Sequence, residues 1–141
     1  MSYTEEERGK YYSKDRLKQI ISFEGIKRLN RNITPTDIDA LIDYNGNAFI
    51  FNETKYKDAP FHEGQRMAIE NVINGLCRNG SDACCFYSIH EIPINEIVIL
   101  KNCIVLEIYH NGCWHKYDGS NTVLQWIEVY EKFWSDKGIK L

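Results

Sequence analysis

Three carboxylates and one lysine stand on two short segments of this chain, separated by a turn. They are Asp37, Asp39, Glu53 and Lys55. Carboxylates that approach one another repel, and their burial is unfavourable unless they are paired or bind a metal. Two carboxylates with water in the remaining positions suit Mg²⁺ or Mn²⁺, and a nearby lysine can offset phosphate charge. These residue types predict a divalent-metal site for phosphodiester hydrolysis.

The two segments have the pattern of a β-hairpin. Residues 38–44 and 48–54 are apolar, β-branched or aromatic at most positions, and Asn45-Gly46-Asn47 between them is a strong turn signal. A three-residue loop would place Tyr44 opposite Ala48. A two-residue Asn-Gly loop would shift the pairing by one residue.

The choice of loop decides whether the site can form. With the three-residue loop, Asp39 lies opposite Glu53 and Asp37 opposite Lys55, and all four side chains share one face because strand side chains alternate. With the two-residue loop the acids lie on opposite faces. The metal-site hypothesis requires the first pairing, and the alternative is a solvated hairpin with surface salt bridges.

Helical patterns on both sides of the hairpin each carry a polar residue on the apolar stripe. Upstream, Glu24 continues the spacing of Leu17, Ile20 and Ile21. Downstream, a helix predicted over residues 62–77 carries Gln65 one turn before Ile69. Both polar side chains are expected to point inward. The buried side of the downstream helix is predicted to hold Ile69, Val72, Ile73 and Leu76.

The order of these residues resembles the PD-(D/E)XK, or restriction-endonuclease-like, nuclease superfamily over residues 15–90. That family has an acidic residue on a first helix, an Asp on a strand, (Asp/Glu)-x-Lys on the next strand and often a Gln on the following helix. The resemblance implies that Asp39 and Glu53 are metal ligands, Lys55 activates water, and Glu24 and Gln65 support the site. Residues 34–39 also resemble small phage and prophage nucleases related to Holliday junction resolvases.

The match departs from the family pattern at one point. Thr36 separates Pro35 from Asp37, so the literal Pro-Asp pair is absent. Either aspartate could be the ligand. Asp39 is preferred because it faces Glu53 in the three-residue-loop pairing, which leaves Asp37 as an auxiliary acid.

Composition is typical of one α/β domain over residues 1–141. The chain is 43% hydrophobic and 26% charged, enough for a core at this length. There is no apolar run of 18 residues and the first residues are acidic, so neither a membrane span nor a signal peptide is expected. A cytoplasmic location is predicted.

The formal net charge of −3 argues mildly against DNA binding, which favours a basic surface. The charge is unevenly distributed, however, since the formal charge is +3 over residues 1–36 and −6 over the remainder. A solvated helix face is the alternative for the basic residues. The candidate phosphate contacts are Lys14, Lys18, Lys27, Arg28, Arg31 and Lys57. Tyr56 and Phe61 could stack on bases, and His62 or His90 could line the cleft.

The rest of the chain predicts more strands and a last helix. Strands are expected at residues 83–89, 97–100, 104–109 and 113–117, followed by a helix over residues 122–134. Asp118, Ser120 or Asn121 would cap this helix. The expected architecture is a mixed sheet with a central hairpin, flanked by helices.

The five cysteines suggest reduced thiols, with the neighbours Cys84 and Cys85 on opposite faces of a strand. His110, Cys113 and His115, with Cys103, are the one group that resembles a zinc site.

Together, the residues and the resemblance predict a Mg²⁺- or Mn²⁺-dependent endonuclease acting on DNA. It is expected to work as a homodimer, because cutting two strands or resolving a junction needs two active sites. The alternative is a catalytically silent module that binds nucleic acid or protein, for instance a phage protein that blocks a host defence.

Overall fold

A computed structural model describes residues 21–26, 33 and 35–141. The chain divides into two compact units, Met1–Pro35 and Thr36–Leu141. In the first unit, Glu24 and Gly25 form a turn, and Ile21 and Glu24 are exposed. Residues 21–26 are not helical, so the prediction that Glu24 lies on a helix and points inward is wrong. Lys14, Lys18, Lys27, Arg28 and Arg31 lie outside the described residues.

The second unit is a five-stranded mixed sheet with two α-helices, which confirms the α/β class. The strand order follows the chain, from β1 to β5. Only β2 and β3 are parallel, and α1 crosses between them; the other neighbours are antiparallel. The elements are β1 Ala40–Tyr44, β2 Ala48–Tyr56, α1 Glu63–Arg78, β3 Asp82–His90, β4 Ile104–His110, β5 Cys113–Lys116 and α2 Val123–Asp136.

The β1–β2 hairpin has the pairing that the metal-site hypothesis requires. Tyr44 lies opposite Ala48, and the ladder runs back to Ala40 opposite Asn52. Asn45 and Gly46 both have positive φ, the backbone conformation that Asn and Gly tolerate best. The three-residue loop is thus confirmed. The hairpin is not central as predicted, because β1 is the end strand of the described sheet.

A separate apolar cluster covers each face of the sheet. Cys85 packs with Ile69 and Ile73 of α1, whereas Cys84 packs with Trp134 of α2. The prediction that the two cysteines face opposite ways is confirmed. Burying apolar residues on both faces explains why β3 is a nearly continuous apolar run.

Three local predictions are wrong. Residues 97–99 form no strand, and a short 3₁₀ turn follows at Leu100–Asn102. Val72 is 46% exposed and not on the buried side of α1.

The residue that caps α2 is Thr122 and not Asp118, Ser120 or Asn121. Its side chain accepts a hydrogen bond from the N–H of Gln125, and the Gln125 side chain accepts one from the N–H of Thr122. The two hydrogen bonds together satisfy two backbone N–H groups at the start of the helix, whereas one capping side chain alone satisfies one.

Neither helix of the described ranges combines the length and apolarity that crossing a membrane requires.

Asp82 ties the start of β3 to the last helix and to β4. Its carboxylate accepts hydrogen bonds from Trp134 Nε1 at 2.7 Å and is 3.0 Å from His110 Nε2. Burial alone would raise the pKa of Asp82, but the hydrogen bonds from His110 and Trp134 outweigh it and lower the pKa to about 2. This half-buried carboxylate is stable as an anion because donors surround it.

Replacing Asp82 with Ala should lower the free energy of unfolding by about 2 to 3 kcal/mol, because the buried Trp134 donor loses its acceptor. The folded-state pKa lies below the unfolded value, so the contribution of Asp82 is present above about pH 4 and is lost towards pH 2. Urea unfolding at several pH values measures this. Asp136→Ala, which removes an exposed pair with Lys132, should cost less than about 0.5 kcal/mol. An equal loss in both variants contradicts the prediction.

Candidate active site

Four of the predicted site residues lie together at the carboxyl end of β2. Asp39 directly precedes β1, Glu53 and Lys55 lie on β2, and Gln65 is in the first turn of α1. The hairpin pairing brings Asp39 beside Glu53. The crossover helix then returns over the same face, because α1 packs against Phe51 two residues before Glu53.

Glu53 is the buried centre of this cluster, with 1% of its surface exposed. Its Oε2 accepts from Gln65 Nε2 at 2.8 Å and lies 3.7 Å from Lys55 Nζ. Its Oε1 is buried and has no hydrogen-bond partner within the described part of the chain. A buried carboxylate oxygen without a donor is unfavourable in the folded protein unless a proton or a cation satisfies it.

Burial and the charge of Asp39 raise the pKa of Glu53 to about 7, against the opposing influence of Lys55. The two carboxylates are therefore electrostatic neighbours, and the charge of Asp39 favours the neutral form of Glu53.

A hydrogen bond from a backbone N–H holds the side chain of Asp39 in position. Its Oδ2 accepts from the N–H of Thr54 at 2.8 Å, on the strand that carries Glu53 and Lys55. Asp39 is exposed, so its carboxylate remains open to solvent and to a ligand. The bond fixes one oxygen of the carboxylate beside the buried glutamate.

Lys55 lies at the edge between core and solvent. Its side chain is 24% exposed, and its ammonium faces the same carboxylate oxygen that Gln65 contacts. The amide of Gln65 and the ammonium of Lys55 therefore both lie at Oε2, and Oε1 of Glu53 has no donor among the described residues.

The other predicted residues take different positions. Asp37 is exposed and precedes β1, so it is not paired with Lys55 in the sheet. Lys57 is exposed and pairs with Glu91 at 2.9 Å. His62 is the N-cap residue of α1 without a side-chain cap bond. His90 stacks edge-on with Tyr56.

The zinc hypothesis is not supported by side-chain positions. His110 contacts Asp82, while Cys113 Sγ lies 3.3 Å from His115 Nε2. Cys103 is buried in the cluster under α2. Among the described residues, no group of three or more His, Cys, Asp or Glu side chains is arranged to hold a metal. The Asp39–Glu53 pair would need water for the remaining positions.

Sequence reasoning missed an arginine box next to Gln65. The guanidinium of Arg66 lies 4.7 Å from the ring centres of both Phe61 and Trp114 and pairs with Glu107 at 2.7 Å. Phe61 is half-buried and packs against Arg66 and Trp114, and its role in base stacking stays a prediction. The box anchors the first turn of α1, from which Gln65 projects. No sequence signal links these residues, because they come from three separate parts of the chain, the start of α1, β4 and β5.

The chain was compared with protein-family models, curated proteins and solved structures, and none of them matches.

Glu53→Gln should stabilise the metal-free protein at pH 8 but not at pH 4. The folded-state pKa of about 7 exceeds the reference value of 4.5, so the stability of the unsubstituted protein falls as pH rises between these values. The difference corresponds to about 3 kcal/mol. Urea unfolding in EDTA measures it, with Glu128→Gln on the exposed side of α2 as control. A gain that does not depend on pH is incompatible with a buried ionisable Glu53.

Proposed function

We propose that this chain is a divalent-metal-dependent phosphodiesterase that acts on DNA. The observation that carries the proposal is the buried Oε1 of Glu53, which has no hydrogen-bond partner among residues 21–26, 33 and 35–141, beside the backbone-held carboxylate of Asp39. Asp82 of this protein, a half-buried carboxylate in a structural ion pair, has a donor at each of its two oxygens. A site that leaves one oxygen bare is suited to a cation.

The residues present fit Mg²⁺ or Mn²⁺. Asp39 and Glu53 would hold the ion through carboxylate oxygens, which both metals prefer. When bound, such an ion supplies charge for a phosphoryl oxygen and lowers the pKa of its water. Its charge would also offset the burial and the repulsion from Asp39 that together raise the pKa of Glu53.

The protein's own groups would stabilise charge on the phosphate and hold the two carboxylates in position. Lys55 would offset the charge that develops on the phosphate and orient the attacking water, since its ammonium is at the solvent edge of the cluster. Gln65 would hold Glu53 through Oε2 so that Oε1 faces the ligand. The N–H of Thr54 would do the same for Asp39. Preorganised groups of this kind need no rearrangement during the reaction.

The order of elements supports the resemblance to the PD-(D/E)XK superfamily. An aspartate before one strand, Glu53-Thr54-Lys55 on the next and Gln65 on the following helix keep the family's sequence of parts. A restriction-endonuclease-like core is therefore part of the proposal, as are resolvase-like specificity and a homodimer. The supporting role of Glu24 stays a prediction.

Metal binding should be measurable without any reaction. Adding Mn²⁺ should raise the melting temperature of the unsubstituted protein, by an amount equivalent to about 2.7 kcal/mol at a hundred times the Kd. Glu53→Gln and Asp39→Asn should abolish the increase because each removes a charged ligand. Glu128→Gln should keep it. Equal stabilisation of all four proteins would show that Mn²⁺ binds elsewhere.

Cleavage should depend on Lys55. With Mg²⁺ or Mn²⁺, the protein should cut labelled DNA, and Lys55→Ala should slow the reaction by about 10² to 10³ while leaving Mn²⁺ stabilisation in place. Linear duplex, single-stranded and four-way-junction DNA are the substrates to compare. Lys132→Ala is the matched control, because this exposed lysine lies on α2 in an ordinary surface pair.

A folded protein that binds Mn²⁺ and DNA but cuts none of the three substrates would overturn the catalytic part. That result would favour the non-catalytic binding module.

A further inference from the structure

A cavity of about 490 Å³ opens between the end of β3, the start of β4 and the loop that joins them. One of its walls is Ile89 of β3, which pairs with Lys55 across the parallel strands. Ile104 of β4 pairs with Ile89 in turn and continues the wall. Paired residues of neighbouring strands point to the same face and lie about 5 Å apart. The cavity therefore begins at Ile89, one strand away from Lys55.

The lining of this cavity is apolar with a polar rim. Seven aliphatic side chains line it, several of them from the loop between β3 and β4. Asn102, His90 and the paired side chains of Lys57 and Glu91 supply the polar groups. Small-molecule sites commonly occupy about 300 to 1,000 Å³ and combine apolar walls with a few polar groups. The lining suits a flat ring with a polar edge better than an ion or a sugar.

Two of the rim residues are held in position. The Nδ1 of His90 accepts from the N–H of Ile92 at 3.1 Å, and its ring packs edge-on against Tyr56. Lys57 donates its backbone N–H to the carbonyl of His90 at 2.8 Å. The rim is thus tied to the end of β2, two residues beyond Lys55. An amide such as that of Asn102 can both donate to and accept from the edge of a base.

From these observations we infer that the cavity receives an unpaired nucleobase adjacent to the phosphodiester at the candidate site. The inference rests on the proposed function and specifies its substrate class as single-stranded or locally unpaired DNA. A base in a duplex must leave its stack to enter such a cavity, and the free-energy cost of this step is lowest where the base is already unpaired. Aliphatic walls accept any base face, so little sequence preference is expected.

Binding of 2-aminopurine-labelled DNA tests the inference independently of cleavage. Single-stranded DNA with one 2-aminopurine, in Ca²⁺ to prevent reaction, should become more fluorescent on binding as the base leaves its neighbours. Ile99→Asn should weaken binding about tenfold and remove the fluorescence increase. Ile99 lines the cavity and is 54% exposed, so the substitution spares the core.

Ile94→Asn is the matched control. Ile94 is in the same loop, is 99% exposed and does not line the cavity. This variant should bind within about twofold of the unsubstituted protein, and a fully paired duplex should bind at least about fivefold more weakly than the single strand.

Equal effects of the two substitutions, equal binding of duplex and single strand, or no DNA binding at all would each overturn the inference. Failure of the proposed function has a different signature. Base-dependent binding that responds to Ile99→Asn, without cleavage in Mg²⁺, would keep the base cavity and refute the nuclease. Cleavage that is insensitive to Ile99→Asn and prefers intact duplex would keep the nuclease and refute the cavity.

Discussion

Burial of a single carboxylate, that of Glu53, is the constraint on which the candidate site depends. A carboxylate taken out of water loses hydration that only hydrogen bonds, cations or a proton can replace. Gln65 and Lys55 replace part of it at Oε2, and nothing in the described chain replaces it at Oε1. The pKa of about 7 expresses the same imbalance. The fold tolerates this imbalance because it is stabilised elsewhere.

Asp82, at the opposite end of the β2–β3 ladder, shows the contrasting solution. Both oxygens of its carboxylate have donors, and its pKa is lowered to about 2. Asp82 is thus stabilised as an anion, whereas burial and the charge of Asp39 favour the protonated form of Glu53. The difference lies in the donors that surround each group and not in the residue type.

The parallel pairing of β2 with β3 links the site to the neighbouring cavity. Parallel strands need a crossover, and α1 provides it on the face that carries Glu53 and Lys55. The helix begins directly above the site, which brings Gln65 to Glu53. The same pairing sets Ile89 opposite Lys55, so that polar and apolar regions of one face adjoin. The arginine box around Arg66 stabilises the start of this helix.

Local sequence determined the elements and the hairpin pairing. The Asn45-Gly46-Asn47 turn and the alternation on its two sides were sufficient to place Asp39 beside Glu53, because turn geometry sets the register of a hairpin. The helical spacing before Ile69 was sufficient to turn Gln65 inward. The apolar pattern gave a wrong strand prediction at residues 97–99, because this run has no strand to pair with. These residues border a cavity instead.

Only the tertiary structure decided what surrounds each group. The lack of a donor at Oε1 of Glu53 within the described chain, the donors on Asp82 and the cavity that begins at Ile89 all depend on segments far apart in the chain. Burial and hydrogen-bond satisfaction are properties of the packed molecule, since they depend on which atoms exclude water from a group. The sequence therefore determined which residues could do chemistry, and the packing decided which of them are left with unsatisfied atoms to do it.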